Sequence, residues 1–372
     1  MKIGIDCRML GPEQGGLGRY LEQLVYHLSL IDHTNEYVLF LRTVNFDAVK
    51  IGNEQFKYKK ILADITWYGW KEQLYFPGII KKAGVDLMHF PHWNFPVLYG
   101  GPFVATIHDL IMYHYPRAEA TTLGPIAYFV KEKVSRFVTA QCIRRAKKVL
   151  VTSEFTATDI QKQFDIASEK MIVTYQAAVL PLESKQTTSG FAKVTKPYIL
   201  YVGSAYPHKN LNRLVEAWSL VQTQTNQQYQ LVLIGKENFF YKKLKAKVED
   251  LGLSDIVFTD FAQDAELGEW YAKASLFVFP SLYEGFGLPP LEAWTYNVPV
   301  AAAKASCLPE VLGTGALYFD PESVENMADT LVQGLTNTTL RAHVQYGASI
   351  EQKKYSWENC AQKTLAVYQN VL

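Results

Sequence analysis

Two glutamates eight positions apart, Glu284 and Glu292, frame the segment PSLYEGFGLPPLEAW that runs from Pro280 to Trp294. The apolar run LFVFP leads into it, and LEAW opens a helical pattern behind it. A strand, a glycine-bearing turn and a helix start are how α/β proteins present polar groups to a phosphate-bearing ligand. Backbone N–H groups near Gly285, Phe286, Gly287 and Leu288 can face an anion. Pro289 and Pro290 have no N–H and suit the first helical turn instead. A helix-borne carboxylate such as Glu292 can accept two vicinal ribose hydroxyls. Glu284, in the turn, can hold a sugar ring or stabilise positive charge at a reacting carbon. Taken singly, each glutamate also reads as an ordinary turn or helix residue.

Three other places carry comparable groups. YVGSAYPHKN links an apolar strand to a helix and presents His208 and Lys209, the lysine as a point charge for a phosphate or simply as a solvated side chain. His108 and Asp109 end the run FVATIHD, at the strand edge where a parallel sheet takes its ligands. There a histidine can bond a substrate hydroxyl or be tied to nearby backbone. Gly15, Gly16 and Gly18 in GPEQGGLGRYLEQL allow close backbone approach and open a helix, or serve as a hinge. The spacing is GGxG, not the GxGxxG of dinucleotide binding, and no acidic residue ends the next predicted strand, which argues against an NAD-dependent dehydrogenase.

Metal chemistry has little to rest on. The chain contains no DxD pair to carry a cation for a diphosphate. His89, His92 and His114 lack the cysteine or HExxH context of a zinc site, so no metal ligand is assigned. The aromatic group Trp67, Tyr68, Trp70, Trp93 and Phe95 fits either stacking on an acceptor sugar or core packing. The segment KEKVSRFVTAQCIRRAKK carries seven basic residues and one acidic residue beside an apolar stripe of Val134, Phe137 and Val138. Packing ahead of the strand VLVTS and contact with a membrane surface both account for it.

These residues need a scaffold. At 372 residues with 48% hydrophobic and 20% charged residues, the chain has the mass for two cores, since single domains run to about 150–200 residues. A net charge of +1 gives no field for holding nucleic acid. Cys7, Cys142, Cys307 and Cys360 are scattered without a CxxC pair, as expected in a reducing compartment. The N-terminus reads as a strand rather than a signal peptide, and no apolar run reaches the roughly 20 residues that span a bilayer. A cytoplasmic protein is expected, with peripheral contact at the inner face of a membrane compatible with the basic helix.

KIGIDCRML, EYVLFLR, LMHFP, PFVATIHD and KKVLVTSE read as strands, separated by helical patterns at Tyr20–Leu30, Gln73–Lys82 and Ile126–Lys148 and followed by one at Thr156–Phe164. The pattern restarts with PYILYVG, Leu211–Gln222, QLVLIG and Tyr241–Leu251, then DIVFTDF, SLFVFP, VPVAAA and ALYFD. Strands alternating with helices imply parallel sheets covered on both faces. The expected organisation is α/β: an N-terminal Rossmann-like domain over 1–180, a linker at 181–196, a C-terminal Rossmann-like domain over 197–356, and a final helix over 357–372 crossing back to the first domain. The carboxyl ends of the two sheets are expected to meet across an interdomain cleft.

Taken in order, GGLGRY, TIHDL, RRAKKVLVTSEFTATDI, YVGSAYPHKNL, PSLYEGFGLPPLEA and LPEVLG resemble glycosyltransferase family 4, whose members are retaining enzymes of the GT-B fold. The resemblance covers nearly the whole chain. It implies that Glu292 holds the ribose hydroxyls and that Glu284 contacts the donor sugar and assists transfer. The amides of Gly287 and Leu288 would bind the diphosphate with Lys209, while Gly15 and Gly16 approach the donor and His108 contacts its sugar. The segment FAQDAEL from Phe261 would lie near the nucleobase. Such enzymes need no metal for chemistry and no cofactor beyond the nucleotide-sugar donor. Relatives often carry Arg-Lys where this chain has His208-Lys209, so a second cation on the diphosphate is expected only from a protonated His208. TIHDL and PHKNL are similar to bacterial mannosyltransferase-like members, which favours GDP-mannose over a UDP-sugar. The implied acceptor is a saccharide or lipid-linked saccharide, in polysaccharide biosynthesis. Two alternatives share the fold: a nucleotide-sugar 2-epimerase, which needs no acceptor, and a non-catalytic scaffold.

Overall fold

The computed structural model describes residues 1–116, 124–179, 191, 193–259 and 264–371. Within them the chain forms two compact units; a short segment from His114 groups with the second, and the chain changes over again between Gln176 and Ala177 and between Tyr355 and Ser356. Most of the expected linker 181–196, and Phe261 with it, lies outside the described residues. Its last residues are docked on the second unit, where Gln230 Oε1 accepts from the amides of Thr195 and Lys196.

The first unit is a seven-stranded sheet of β1 (Lys2–Asp6), β2 (Glu36–Leu41), β3 (Lys57–Leu62), β4 (Leu87–Phe90), β5 (Phe103–Ile107), β6 (Val149–Val151) and β7 (Met171–Val173). The order is β3-β2-β1-β4-β5-β6-β7, and every pair is parallel. Helices α1 (Gly15–Ile31), α2 (Trp70–Ala83), α3 (Ile111–His114), α4 (Pro125–Arg145) and α5 (Glu154–Phe164) connect them. β4, β5 and β6 are buried along their whole length. That is why they read as unbroken apolar runs, as strands covered on both faces must.

The second unit is a six-stranded parallel sheet in the order β10-β9-β8-β11-β12-β13. Its strands are β8 (Tyr198–Val202), β9 (Gln230–Ile234), β10 (Ile256–Thr259), β11 (Leu276–Phe279), β12 (Val300–Ala303) and β13 (Ala316–Phe319). They are joined by α6 (Leu211–Gln224), α7 (Phe239–Asp250), α8 (Asp264–Lys273), α9 (Leu288–Thr295) and α10 (Leu308–Leu312), then followed by α11 (Val324–Thr336) and α12 (Thr338–Glu351). Both units are Rossmann-like. In each the strand order reverses at one pair of neighbours, β1/β4 in the first and β8/β11 in the second, and such reversals open a crevice at the strands' carboxyl ends.

The last helix, α13 (Trp357–Asn370), belongs to the first unit although it follows the second in sequence. Buried hydrogen bonds tie it there. His89 Nδ1 lies 2.6 Å from the Tyr368 hydroxyl and His89 Nε2 lies 2.8 Å from Thr106 Oγ1. Thr106 Oγ1 is in turn 2.9 Å from the Tyr20 hydroxyl, so one chain of polar groups joins β4, β5, α1 and α13. The expected helix Ile126–Lys148 is shorter, because Lys147 N donates to Phe103 O at 2.8 Å and draws the chain into β6. β3, β7, α8, α11 and α12 are elements that the reading of the sequence had not assigned.

Candidate functional site

β8 and β11 lie side by side, and their carboxyl-terminal loops carry most of the residues singled out in the second unit. After β8 the chain turns through Pro207–Lys209, and Asn210, at φ 60°, reverses it into α6. After β11 it passes through Tyr283 and Glu284 to Gly287, whose φ of 91° suits glycine, and α9 starts with the two prolines in its first turn. Leu282 N donates to His208 O at 2.8 Å and clamps the two loops together.

Their side chains meet as well. Lys209 Nζ donates to Glu284 Oε1 at 2.5 Å, and the side chains are 16% and 10% exposed. The ammonium also lies 5.4 Å from the centroid of the Phe279 ring, a cation–π contact. Glu284 N donates to Ser306 Oγ, which fixes the backbone of the turn. A screened, nearly buried cation–carboxylate pair at a strand-reversal crevice is a switchable charge: an incoming phosphate can compete with Glu284 for Lys209.

Glu292 is buried on α9, and its Oε2 accepts from the Tyr271 hydroxyl of α8 at 2.8 Å. Phe286 points its ring away from solvent, edge-on to Tyr355 at 5.4 Å. His208 is 1% exposed and stacks with Tyr206 at 6.0 Å. Cys307 follows Ser306, and burial with Glu284 and Glu310 nearby pushes its thiol well above the usual range. It is no ready nucleophile.

The first unit holds the remaining candidates. His108 follows β5 and is held at both ring nitrogens: Nε2 donates to Pro91 O at 3.0 Å, and the Gln176 amide reaches Nδ1 at 3.0 Å. Tyr20 packs edge-on against the ring at 4.7 Å. Desolvation lowers its pKa to about 4, so the ring is neutral with a set tautomer. A sugar hydroxyl reaches this ring only by sharing or displacing one of those bonds. Asp109 caps the short α3 through Ile111 N.

The glycines divide. Gly15 has φ 62°, and a side chain on Gly18 would collide with Gly11 O, whereas a methyl at Gly16 would meet open space. Gly18 is therefore required by packing, and Gly16 is free to face a ligand.

The histidines that suggested zinc do not gather. His89 spends both nitrogens on Tyr368 and Thr106, and among the described residues no three His, Cys, Asp or Glu are grouped to hold a metal ion.

A buried network absent from the sequence reading lies under the β1/β4 crevice. Arg8 bonds Asp6 and Glu72 at 2.7 and 2.6 Å, and Glu72, fully buried, also accepts from Asn94 Nδ2 and from Tyr68 N. Arg8 and Glu72 are 64 positions apart. Nothing in the local pattern of either residue announces the pair.

The sequence compares closely with known proteins. Residues 14–177 match the family described as Glycosyltransferase Family 4, and residues 184–350 match Glycosyl transferases group 1. The chain is 29% identical to O-antigen chain mannosyltransferase B of Escherichia coli over 99% of both chains. It is 30% identical to O-antigen chain mannosyltransferase RfbU of Salmonella typhimurium, over 70% of this chain and 68% of that one. Among solved structures, sucrose-phosphate synthase from Thermosynechococcus elongatus superposes with a TM-score of 0.77 at 18% identity, covering 100% of this chain and 99% of the other. Anabaena HepE, solved with UDP and glucose, superposes with a TM-score of 0.72 at 18% identity and 99% coverage of both. These likenesses establish the GT-B fold.

Proposed function

This chain belongs to glycosyltransferase family 4, and from that premise we propose that it transfers a mannosyl residue from GDP-mannose to a saccharide or lipid-linked saccharide, with retention of anomeric configuration. The observation that carries the reading is the Lys209–Glu284 pair at the β8/β11 crevice. Lys209 exchanges its carboxylate for the donor diphosphate, which the amides of Gly287 and Leu288 also face. Glu284, released, turns to the sugar. Glu292 accepts the ribose hydroxyls, and the segment beginning at Phe261 serves the base. Mannose is supported by the names of the two O-antigen relatives, and so is a polysaccharide acceptor.

In the reaction the acceptor oxygen bonds to C1 as the bond from C1 to the β-phosphate oxygen breaks. The bonding pair leaves with the diphosphate, and the acceptor proton passes to a departing phosphate oxygen. Charge gathers on that phosphate, and Lys209 with the amides of Gly287 and Leu288 would stabilise it as preorganised positive groups. The same positive groups support transfer without a metal ion.

A peripheral membrane location at the cytoplasmic face is part of this reading. Ile126, Phe129, Val130, Val134 and Phe137 of α4 are each more than half exposed and share one helical face. Exposed Lys133 lies within that face, its ammonium 5.2 Å from the centroid of the Phe129 ring, and exposed Lys131 lies at its edge. An exposed apolar face interleaved with basic side chains suits an anionic lipid surface. Among the described residues no helix is long and apolar enough to cross a membrane.

The test of donor choice is a thermal-shift comparison of GDP, UDP and ADP with their sugars. A ligand at 100 times its dissociation constant adds about 2.7 kcal/mol of stability. GDP-mannose is expected to give the largest shift. The absence of a shift with every nucleotide sugar contradicts the reading.

A further inference from the structure

The β1/β4 crevice of the first unit has the topology of a ligand site, but its surface is unlike that of the β8/β11 crevice. Tyr68, His92 and Trp93 stand at its mouth. Tyr68 and Trp93 rings are 5.3 Å apart and inclined by 33°, and His92 and Trp93 are 4.7 Å apart and inclined by 39°. The Tyr68 hydroxyl is 3.4 Å from His92 Nδ1. Tyr68 is 50% exposed, while Phe95, from the same run of aromatics, is fully buried. The structure thus separates the aromatic residues: Phe95 fills the core, Trp93 is half-buried against it, and Tyr68 faces outward.

Tyr68 is also held in an unfavourable backbone conformation. Its φ is 62°, a left-handed geometry that costs a non-glycine residue roughly 1 kcal/mol or more and persists only where its surroundings impose it. Here the imposing group is Glu72, whose carboxylate accepts from Tyr68 N at 3.0 Å while Arg8 and Asn94 hold it from behind. The same carboxylate that sets the angle of Tyr68 fixes Asn94, two residues beyond His92 and adjacent to Trp93. The rings are therefore aimed by the fold itself.

The charge beneath them selects the ligand. One arginine faces two carboxylates, Asp6 and Glu72. A phosphate or diphosphate is repelled here. An uncharged ring with apolar C–H faces and equatorial hydroxyls meets flat aromatic surface and, at its edge, a phenol and an imidazole.

We infer that Tyr68, Trp93 and His92 form a stacking subsite for an uncharged pyranose ring of the acceptor saccharide. The inference rests on the transferase reading above and adds to it the residues that recognise the acceptor.

The test uses octyl α-mannoside, octyl β-glucoside and octyl β-galactoside below their micelle concentrations, with binding followed by saturation-transfer NMR on the full-length protein and no donor present. Tyr68→Gly removes the ring and suits the positive φ; Trp93→Ala removes the second platform; Tyr68→Phe keeps the ring. Trp70→Ala alters an exposed tryptophan of the same stretch that lies outside the stacked group. Tyr68→Gly and Trp93→Ala are expected to weaken binding of the preferred glycoside at least tenfold, while Tyr68→Phe and Trp70→Ala bind as the parent does. Melting temperature is expected to be unchanged for Tyr68→Phe and Trp70→Ala and lowered for Trp93→Ala, while the nucleotide-sugar thermal shift, measured on the same samples, stays as in the parent for every variant. Parent-like binding by both ring-deleted variants overturns the subsite and leaves the donor reading intact. Failure of the parent protein to bind any of the three glycosides also overturns it. Loss of the nucleotide-sugar shift in the parent protein overturns the transferase reading and this inference with it.

Discussion

The two strand-reversal crevices of this molecule share a topology and differ in where they keep their charge. At β8/β11 the charged pair Lys209–Glu284 sits in the loops, nearly but not fully buried, and has partners to exchange. At β1/β4 the charged groups Arg8, Asp6 and Glu72 are sealed beneath the surface and saturated with hydrogen bonds, and aromatic rings form the mouth. A crevice that must take a diphosphate keeps a cation within reach of solvent. A crevice that takes a neutral ring keeps its ions as internal struts. On the proposed readings, one sheet topology serves two ligand chemistries, according to which side of the surface the ions occupy.

Breaking the struts has the largest expected effect on stability. Arg8→Met leaves two carboxylates buried without their cation, which costs about 3–5 kcal/mol. Urea unfolding followed by hydrogen exchange should show the loss in the first unit, with β8–β13 protected as before. An equal loss in both units would dissolve the distinction between them.

Breaking the exchangeable pair should instead be felt in turnover. Glu284→Gln and Lys209→Met are each expected to lower kcat about 100–1000-fold, the range for removing one preorganised charge or donor. Lys209→Met should also raise the donor KM. Steady-state kinetics with GDP-mannose separates the two. Parent-like kcat in both variants removes the second crevice from the chemistry.

The first unit should also carry the sharper acid sensitivity. Burial holds the His89 pKa down at about 3, whereas in the unfolded chain it titrates near 6.5. Below about pH 6.5 the unfolded state binds the proton first. Stability is therefore complete above that pH and falls as pH drops toward 3, by up to about 1.4 kcal/mol per pH unit for this one group. Melting temperatures between pH 7.5 and 4.5 measure the slope, and His89→Gln should reduce it by this group's share, with buried His92 and His108 supplying more of the same sign. A slope unaltered by that substitution contradicts the assignment.

The smallest effects sharpen the glycine turn ahead of α1. Gly18→Ala collides with Gly11 O and should cost about 1–3 kcal/mol. Gly16→Ala meets open space and should change stability by less than about 0.5 kcal/mol while lowering turnover. Melting and kinetics on the pair distinguish a packing glycine from one that faces a ligand.

Much of this fold is written in local pattern. The buried parallel strands β5, β11 and β12 read as the unbroken runs FVATI, LFVF and VAAA because both faces of each sheet are covered. β3, KYKKIL, escapes that reading because it is an edge strand with exposed lysines, which guard an unpaired edge and erase the apolar signal. The Glu284–Glu292 spacing was legible because both lie in one short segment. The Lys209–Glu284 contact was not, since 75 positions separate the two and only the β8–β11 pairing brings them together. Tyr68 gave no sign of its left-handed backbone, because that conformation comes from Glu72, a tertiary partner.

The central claim is that the Lys209–Glu284 crevice performs retaining transfer from a nucleotide sugar. The most direct measurement is proton NMR of the anomeric signal when GDP-mannose and octyl α-mannoside are incubated with the enzyme in EDTA. The account predicts an α-linked mannosyl product, formed at least 100-fold more slowly by Glu284→Gln. A β-linked product, or an α-linked product formed equally fast by Glu284→Gln, contradicts it.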